Sequence, residues 1–166
     1  MKPQGTRVVL RGSTRTALPG FHAVRGVRPD SIIHVTLLLR PAPNKGSPSL
    51  EEMSSQLPQE RRYLSREEYA EAYGPDRADV DTVLRCAAAY GLTLDHIDEP
   101  ARMVYLSGTA AAMRKAFGVD LFVFERVGAR SVQRYRGRTG PIYVPAELDG
   151  IVQAVVGLDS RPQAFM

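Results

Sequence analysis

The stretch from Tyr63 to Gly118 decides the fold, and its most informative parts read YLSREEYAEAYGPDRADV (63–80), AAAYGLTL (87–94) and VYLSGTAAAMRKAFG (104–118). The first part predicts a helix that begins after Ser65. A serine followed three residues later by a glutamate forms a capping box, in which each side chain binds the other residue's backbone N–H. Gly74 and Pro75 are expected to end this helix, because proline cannot continue it.

The next two segments predict a second and a third helix. The second helix has one apolar stripe at helical spacing, formed by Val80, Val83, Leu84 and Ala87. Gly91 is suited to the left-handed conformation that ends many helices. Thr109 is expected to cap the third helix, over 110–117, since its hydroxyl accepts from a first-turn N–H.

Segments with the alternation of β-strands surround these helices. Residues 32–39 form the clearest one, with four apolar side chains on one face. Further strands are predicted over 92–97, 103–107, 119–127, 132–136 and 151–156. With the small pieces merged, the order is β-α-β-β-α-β. We therefore expect an α+β fold of the ferredoxin-like type, with one antiparallel sheet and helices on one face.

Composition indicates one globular domain. The chain has 166 residues, 43% of them hydrophobic, and a net charge of +4 that favours acidic partners. The single cysteine, Cys86, excludes an internal disulfide and is interpreted as a buried apolar residue. The histidines His22, His34 and His96 lack metal-ligand spacing, so we expect no metal and no cofactor. The first residues contain no apolar run, so neither a signal peptide nor a membrane segment is visible.

Three parts are expected along the chain. Residues 1–30 are basic and rich in proline and glycine, and predict an extended N-terminal arm. Residues 31–160 form the ferredoxin-like core, and residues 161–166 leave it as a tail.

The second face of strand 32–39 predicts a docking surface. His34, Thr36 and Leu38 share that face with Ile32, so it is half apolar although the opposite face already supplies the core. The last strand repeats the pattern, with the even-numbered residues of 152–156 predicted on one face. A covering by the N-terminal arm, through Leu18 and Phe21, is the alternative.

A basic hairpin is the second candidate surface, and its docking residues are Arg134, Arg136 and Arg138. One reading is a solvated strand pair. Another is docking onto acidic residues of a partner, because arginine pairs directionally with carboxylates. A third is binding of nucleic acid, although the aromatic motif of RNA-recognition folds is missing.

The acidic residues do not form a catalytic constellation. Glu67 and Glu68 are interpreted as first-turn acids that complement the helix dipole. No nucleophile, base and oxyanion donors are found together, so we expect no enzyme activity in this chain.

Several segments resemble the activation prodomains of the sedolisin (kumamolisin-like) serine-carboxyl peptidases. In chain order they are Arg7–Ser13, Ala17–Gly20, Leu64–Tyr69, Tyr73–Pro75, Ala89–Leu92, Ser107–Thr109, Ala116–Val119, Val144–Leu148, Val156–Asp159 and Arg161–Pro162. They cover almost the whole chain, and their order and spacing together are specific. The family's nucleophile lies in a Ser-Gly-Thr-Ser motif, whereas Ser107-Gly108-Thr109 is followed here by Ala110. We interpret this segment as a strand end and a helix cap.

The resemblance implies a prodomain with a ferredoxin-like fold whose helix-free face packs on a cognate sedolisin peptidase in cis. Such a prodomain helps the peptidase fold and blocks its cleft until acid triggers autoprocessing. The resemblance also implies secretion, and a linker that starts at Arg161 and Pro162. We expect a monomer when isolated, with no nucleic-acid or membrane partner. A stand-alone regulatory or nucleic-acid-binding ferredoxin-like domain is the alternative, and it predicts RNA affinity that falls steeply with salt.

Overall fold

The structure is a computed structural model that describes residues 5–43, 54–55, 57–59 and 63–162. In chain order its elements are β1 (Arg7–Val9), β2 (His22–Gly26), β3 (Ile32–Leu39), α1 (Arg66–Tyr73), α2 (Arg77–Ala89), β4 (Thr93–Asp98), β5 (Met103–Thr109), α3 (Ala110–Phe117), β6 (Phe122–Val127), β7 (Val132–Gly137), β8 (Tyr143–Pro145), a 3₁₀ turn (Ala146–Leu148) and β9 (Val152–Val156). The predicted α+β class is confirmed by the three helices and the antiparallel sheets.

The main sheet has four strands in the order β4-β5-β3-β9, and every neighbouring pair is antiparallel. One face of β3 supplies the core through Ile33, Val35, Leu37 and Leu39, which are at most 2% exposed. These side chains belong to one cluster with Val83 and Met113 from the helices. Each aliphatic side chain buried in this way contributes about 1.5–3 kcal/mol of transfer free energy. The core therefore lies between the sheet and the helices.

The predicted helix ends are confirmed. Ser65 accepts from the Glu68 N–H while the Glu68 carboxylate accepts from the Ser65 N–H, so the capping box of α1 is complete. Thr109 caps α3 through the Ala112 N–H, and Gly118 ends α3 at φ 58°, in the left-handed region.

Two further sheets depart from the expected single sheet. Strand β2 pairs with β6, and the hairpin β6–β7 completes a three-stranded sheet separate from the main one. It has a small core of its own, formed by Phe21, Phe124 and Tyr135. Strands β1 and β8 form the third sheet. Parts of the expected N-terminal arm are thus strands. The sequence did not predict β2, because all five of its residues are exposed and no apolar alternation marks it.

The predicted alternation of the last strand is wrong at one position. A register shift lies opposite Leu38 and Leu39, so Val152 pairs with Leu39 while Ala154 pairs with Leu38. As a result Val152 is buried with the core, although the sequence grouped it with Ala154 and Val156. A bulge of this kind changes the face on which later residues lie.

Within the described ranges, no helix combines the length and apolar character needed to cross a lipid bilayer. The division into arm, core and linker stays a prediction, and residues 163–166 of the expected linker lie outside the described residues.

Candidate docking surface

Among the residues that the structure describes, no helix packs on one face of the main sheet, and we call this face the open face. It is formed by Ile32, His34, Thr36 and Leu38 of β3, Met103, Tyr105 and Ser107 of β5, Asp95 and His96 of β4, and Ala154 and Val156 of β9. Thr36 lies near the middle, since it pairs with Tyr105 on one side and Val156 on the other. All of these side chains are half-buried or exposed.

A polar network connects strands β3, β4 and β5 on the open face. Asp95 accepts from the Ser107 hydroxyl at 2.8 Å, and its other carboxylate oxygen lies 3.3 Å from His34 Nδ1. The imidazole of His96 lies against the Tyr105 ring, with 5.6 Å between centroids. Titratable groups from three different strands therefore share one surface.

Apolar side chains surround this network. Ile32 is 61% exposed at the start of β3, and Val156 is 64% exposed on the edge strand β9 beside Thr36. Half-buried Leu38 and Met103 pair with each other at the other end of β3. A contiguous surface of exposed aliphatic side chains around a few polar groups is typical of a site that binds another protein.

The structure brings the predicted residues His34, Thr36 and Leu38 together on this face. The alternative covering does not occur, because Leu18 and Phe21 pack with Phe124 and Tyr135 in the small core instead. Sequence reasoning missed Asp95, His96 and Tyr105 as members of the same surface. A bulge between Leu94 and His96 turns these β4 side chains toward it, and no local pattern marks that bulge.

The three predicted arginines occupy different environments. Arg134 is exposed and donates to the Glu125 carboxylate at 2.8 Å. Arg136 is half-buried and donates to two backbone carbonyl oxygens, and burial lowers the pKa of its guanidinium while nearby Asp159 raises it. Arg138 is only 4% exposed and donates to the Gly140 carbonyl oxygen. Arg136 and Arg138 thus bind within their own chain, and none of the three lies on the open face.

The Ser107, Asp95 and His34 group is not a catalytic triad. The carboxylate lies between the hydroxyl and the imidazole, whereas nucleophilic catalysis requires the imidazole to contact the hydroxyl and remove its proton. Thr109, two residues further on, caps α3 as expected for a structural segment.

Taken together, fold and surface define a small α+β domain with helices on one face of its main sheet and an exposed, mixed apolar and polar face on the other. Residues 19–161 match the family model described as "Pro-kumamolisin, activation domain". Because that match covers most of the chain, the chain belongs to the family of pro-kumamolisin activation domains.

Two curated proteins are similar to it. One is kumamolisin of Bacillus sp. (strain MN-32), 34% identical over 164 residues that cover 98% of this chain and 29% of the relative. The other is tripeptidyl-peptidase sed5 of Aspergillus fumigatus, 29% identical over 166 residues that cover 92% of this chain and 28% of the relative. The chain therefore spans less than a third of the length of these relatives.

Proposed function

We propose that this chain is the prodomain of a secreted, acid-activated, sedolisin-type serine peptidase. It acts as an intramolecular chaperone and a steric inhibitor, and takes no part in the chemistry of peptide hydrolysis. Its partner is the peptidase domain of the same precursor, and the isolated chain is a monomer. The core from β3 to β9 follows the ferredoxin-like arrangement, which is supported by the strand order β4-β5-β3-β9 and by the two helical elements that separate the strands.

The open face is the observation that carries this proposal. An isolated domain with helices on one side of its sheet is expected to present polar alternation on the other side. Here Ile32, Leu38, Tyr105 and Val156 make that side half apolar. Docking onto the peptidase would remove this surface from water, which favours association by about 25 cal/mol for each Å² of apolar area.

Folding assistance follows from preferential binding to the native peptidase. A partner tethered in cis has an effective concentration of about 1 mM. With a Kd of about 1 µM, binding would then stabilise the native peptidase by about 4 kcal/mol relative to its unfolded state. A moderate intrinsic affinity is therefore sufficient.

Acid release follows from the charges at the interface. A carboxylate of the peptidase that pairs with an exposed basic side chain of this chain has a lowered pKa in the complex. The binding free energy of that pair is complete above the free-state pKa and is lost as the pH falls toward the bound-state pKa.

The test is an inhibition assay with the mature peptidase of the same precursor. The purified chain is titrated into the peptidase at neutral pH and at the pH of activation, and cleavage of a fluorogenic peptide is followed. We expect dose-dependent inhibition at neutral pH that weakens on acidification. A folded chain without any effect on cleavage would refute the inhibitor role, and equal inhibition at both pH values would refute acid release.

A further inference from the structure

The short segment that follows β9 is held by more contacts than a chain end requires. Residues near the end of a domain usually fray unless specific contacts order them. Here each residue from Gly157 to Arg161 contributes a hydrogen bond to another part of the molecule or to its neighbour in the segment. We call residues 157–161 the exit segment, because the chain continues from it beyond Pro162.

Arg136 of β7 makes the central contacts. Its Nη2 donates to the Gly157 carbonyl oxygen at 2.7 Å, and its Nε donates to the Leu158 carbonyl oxygen at 3.0 Å. Its backbone N–H donates to the Ser160 hydroxyl at 2.9 Å, and its carbonyl oxygen accepts from the Ser160 N–H at 2.8 Å. One residue thus binds three positions of the exit segment with both backbone and side chain.

The two ends of the exit segment are fixed separately. At its start, Gly157 has φ 107°, and a Cβ there would lie 2.4 Å from the His34 carbonyl oxygen of β3. At its end, Arg161 forms an ion pair with Asp159 at 2.6 Å and donates to the Thr16 carbonyl oxygen at 3.0 Å. The Arg161 guanidinium also lies over the Tyr135 ring, 5.5 Å from its centroid.

These contacts give the three-stranded sheet a structural role that the main fold does not explain. The sheet β2-β6-β7 is separate from the four-stranded sheet and has its own small core, which includes Tyr135. Its edge strand β7 supplies Arg136, and the loop before β2 supplies Thr16. The exit segment is therefore bound between two parts of the chain that are distant from it in sequence.

We propose that Arg136 is a positioning residue for processing: by binding the exit segment it fixes the point and direction at which the linker leaves the prodomain. This inference rests on the proposed function, because it assumes a peptidase downstream. A linker that starts from a fixed point reaches the peptidase cleft in one register, so that a single peptide bond meets the catalytic groups. Tight orientation of the reacting groups has a large effect on rate.

The first test uses the precursor that contains both this chain and its peptidase. Arg136→Met keeps most of the side-chain volume and removes the donors. Arg25→Met is the matched control, because Arg25 is an exposed arginine on β2 of the same three-stranded sheet and belongs to neither candidate docking surface. After acidification, mass spectrometry of the mature N-termini is expected to find one end for the parent and for Arg25→Met. Arg136→Met is expected to give several ends.

A second measurement separates positioning from a merely structural role. The isolated Arg136→Met chain, added in trans, is expected to inhibit the mature peptidase within about three-fold of the parent chain, since the substitution changes none of the open-face side chains. Hydrogen exchange at the Ser160 amide is expected to accelerate by about ten-fold, as the loss of charge-assisted hydrogen bonds frees the segment. Ser160→Ala removes one hydrogen-bond acceptor and keeps the arginine. It should produce extra mature N-termini and accelerate exchange at residue 160 in the same way as Arg136→Met, but by less.

Three outcomes would overturn the inference. A single, unchanged mature N-terminus despite faster exchange at Ser160 would show that the exit segment does not set the register. Unchanged exchange would show that Arg136 does not hold the segment. If Arg136→Met lowered trans inhibition and thermal stability to the same extent, the role of Arg136 would be to stabilise the fold. Failure of the proposed function is distinguishable, because the parent chain would then neither inhibit nor be processed while the exchange result for Ser160 still stands.

Discussion

A negative charge at the centre of the open face should abolish docking without unfolding the domain. Thr36 is half-buried on the middle strand and pairs with Tyr105 and Val156 on its two sides. In the free chain, a glutamate at this position extends into water over its neighbours. Thr36→Glu is therefore expected to change the free energy of unfolding by about 1 kcal/mol or less.

The expected effect on binding is much larger. In the complex, the new carboxylate would be removed from water without a partner. A buried, unpaired charge at an interface costs about 2–5 kcal/mol. That cost corresponds to an increase of roughly 30- to 4000-fold in the inhibition constant.

The assay compares two matched substitutions. Thr82 is also a half-buried threonine, but it lies on α2, where its hydroxyl binds the Ala78 carbonyl oxygen. Thr82→Glu should leave the inhibition constant within about two-fold of the parent. Inhibition of the mature peptidase is measured at neutral pH, with circular dichroism to verify folding of both variants. Equal inhibition by a folded Thr36→Glu chain would refute docking through the open face.

Three further predictions concern stability and reactivity. Gly157→Ala would place a Cβ 2.4 Å from a β3 carbonyl oxygen, at a residue with positive φ. It is therefore expected to lower the free energy of unfolding by about 2 kcal/mol and to lower Tm by about 5 °C in thermal denaturation. An unchanged Tm would contradict this prediction. Burial, and then the Glu147 carboxylate, raise the pKa of Cys86 from 9.0 to about 11. At pH 8 the folded chain should therefore react with iodoacetamide roughly 100-fold more slowly than the unfolded chain. Equal rates in the two states would refute this. Because this folded-state pKa is raised, the associated stability is complete below about pH 9 and is lost as the pH rises toward 11. Asp79→Ala would remove the carboxylate that accepts two hydrogen bonds from Arg40. It should lower the free energy of unfolding, measured by chemical denaturation, by about 1–2 kcal/mol. A decrease below about 0.3 kcal/mol would mean that the pair does not stabilise the fold.

The helices of this domain were predictable because their signals are local. The capping box at Ser65, the stop at Gly74 and Pro75, and the cap at Thr109 each depend on residues within one helical turn. Strand β3 was predicted over its full length, since strict alternation identifies its core face. The same alternation identified His34, Thr36 and Leu38 as neighbours on the other face.

The rest of the surface was not predictable by this reasoning. Asp95 joins His34 and Ser107 only because β4, β5 and β3 are neighbours in the sheet and a bulge shifts the register of β4. Strand β2 has no apolar face, and it exists because β6 offers a pairing partner about a hundred residues away. Arg136 was predicted to meet a partner protein, yet backbone carbonyl oxygens of the exit segment occupy its guanidinium.

The sequence by itself determined the helix ends, the central strand, the α+β class and the family resemblance, because these depend on neighbouring residues or on their order. Only the tertiary structure decided which side chains share the open face, how the small sheet forms and what Arg136 binds. Those features depend on strand order, register and bulges. They are set by the packing of segments far apart in the chain, whose partners no local pattern specifies.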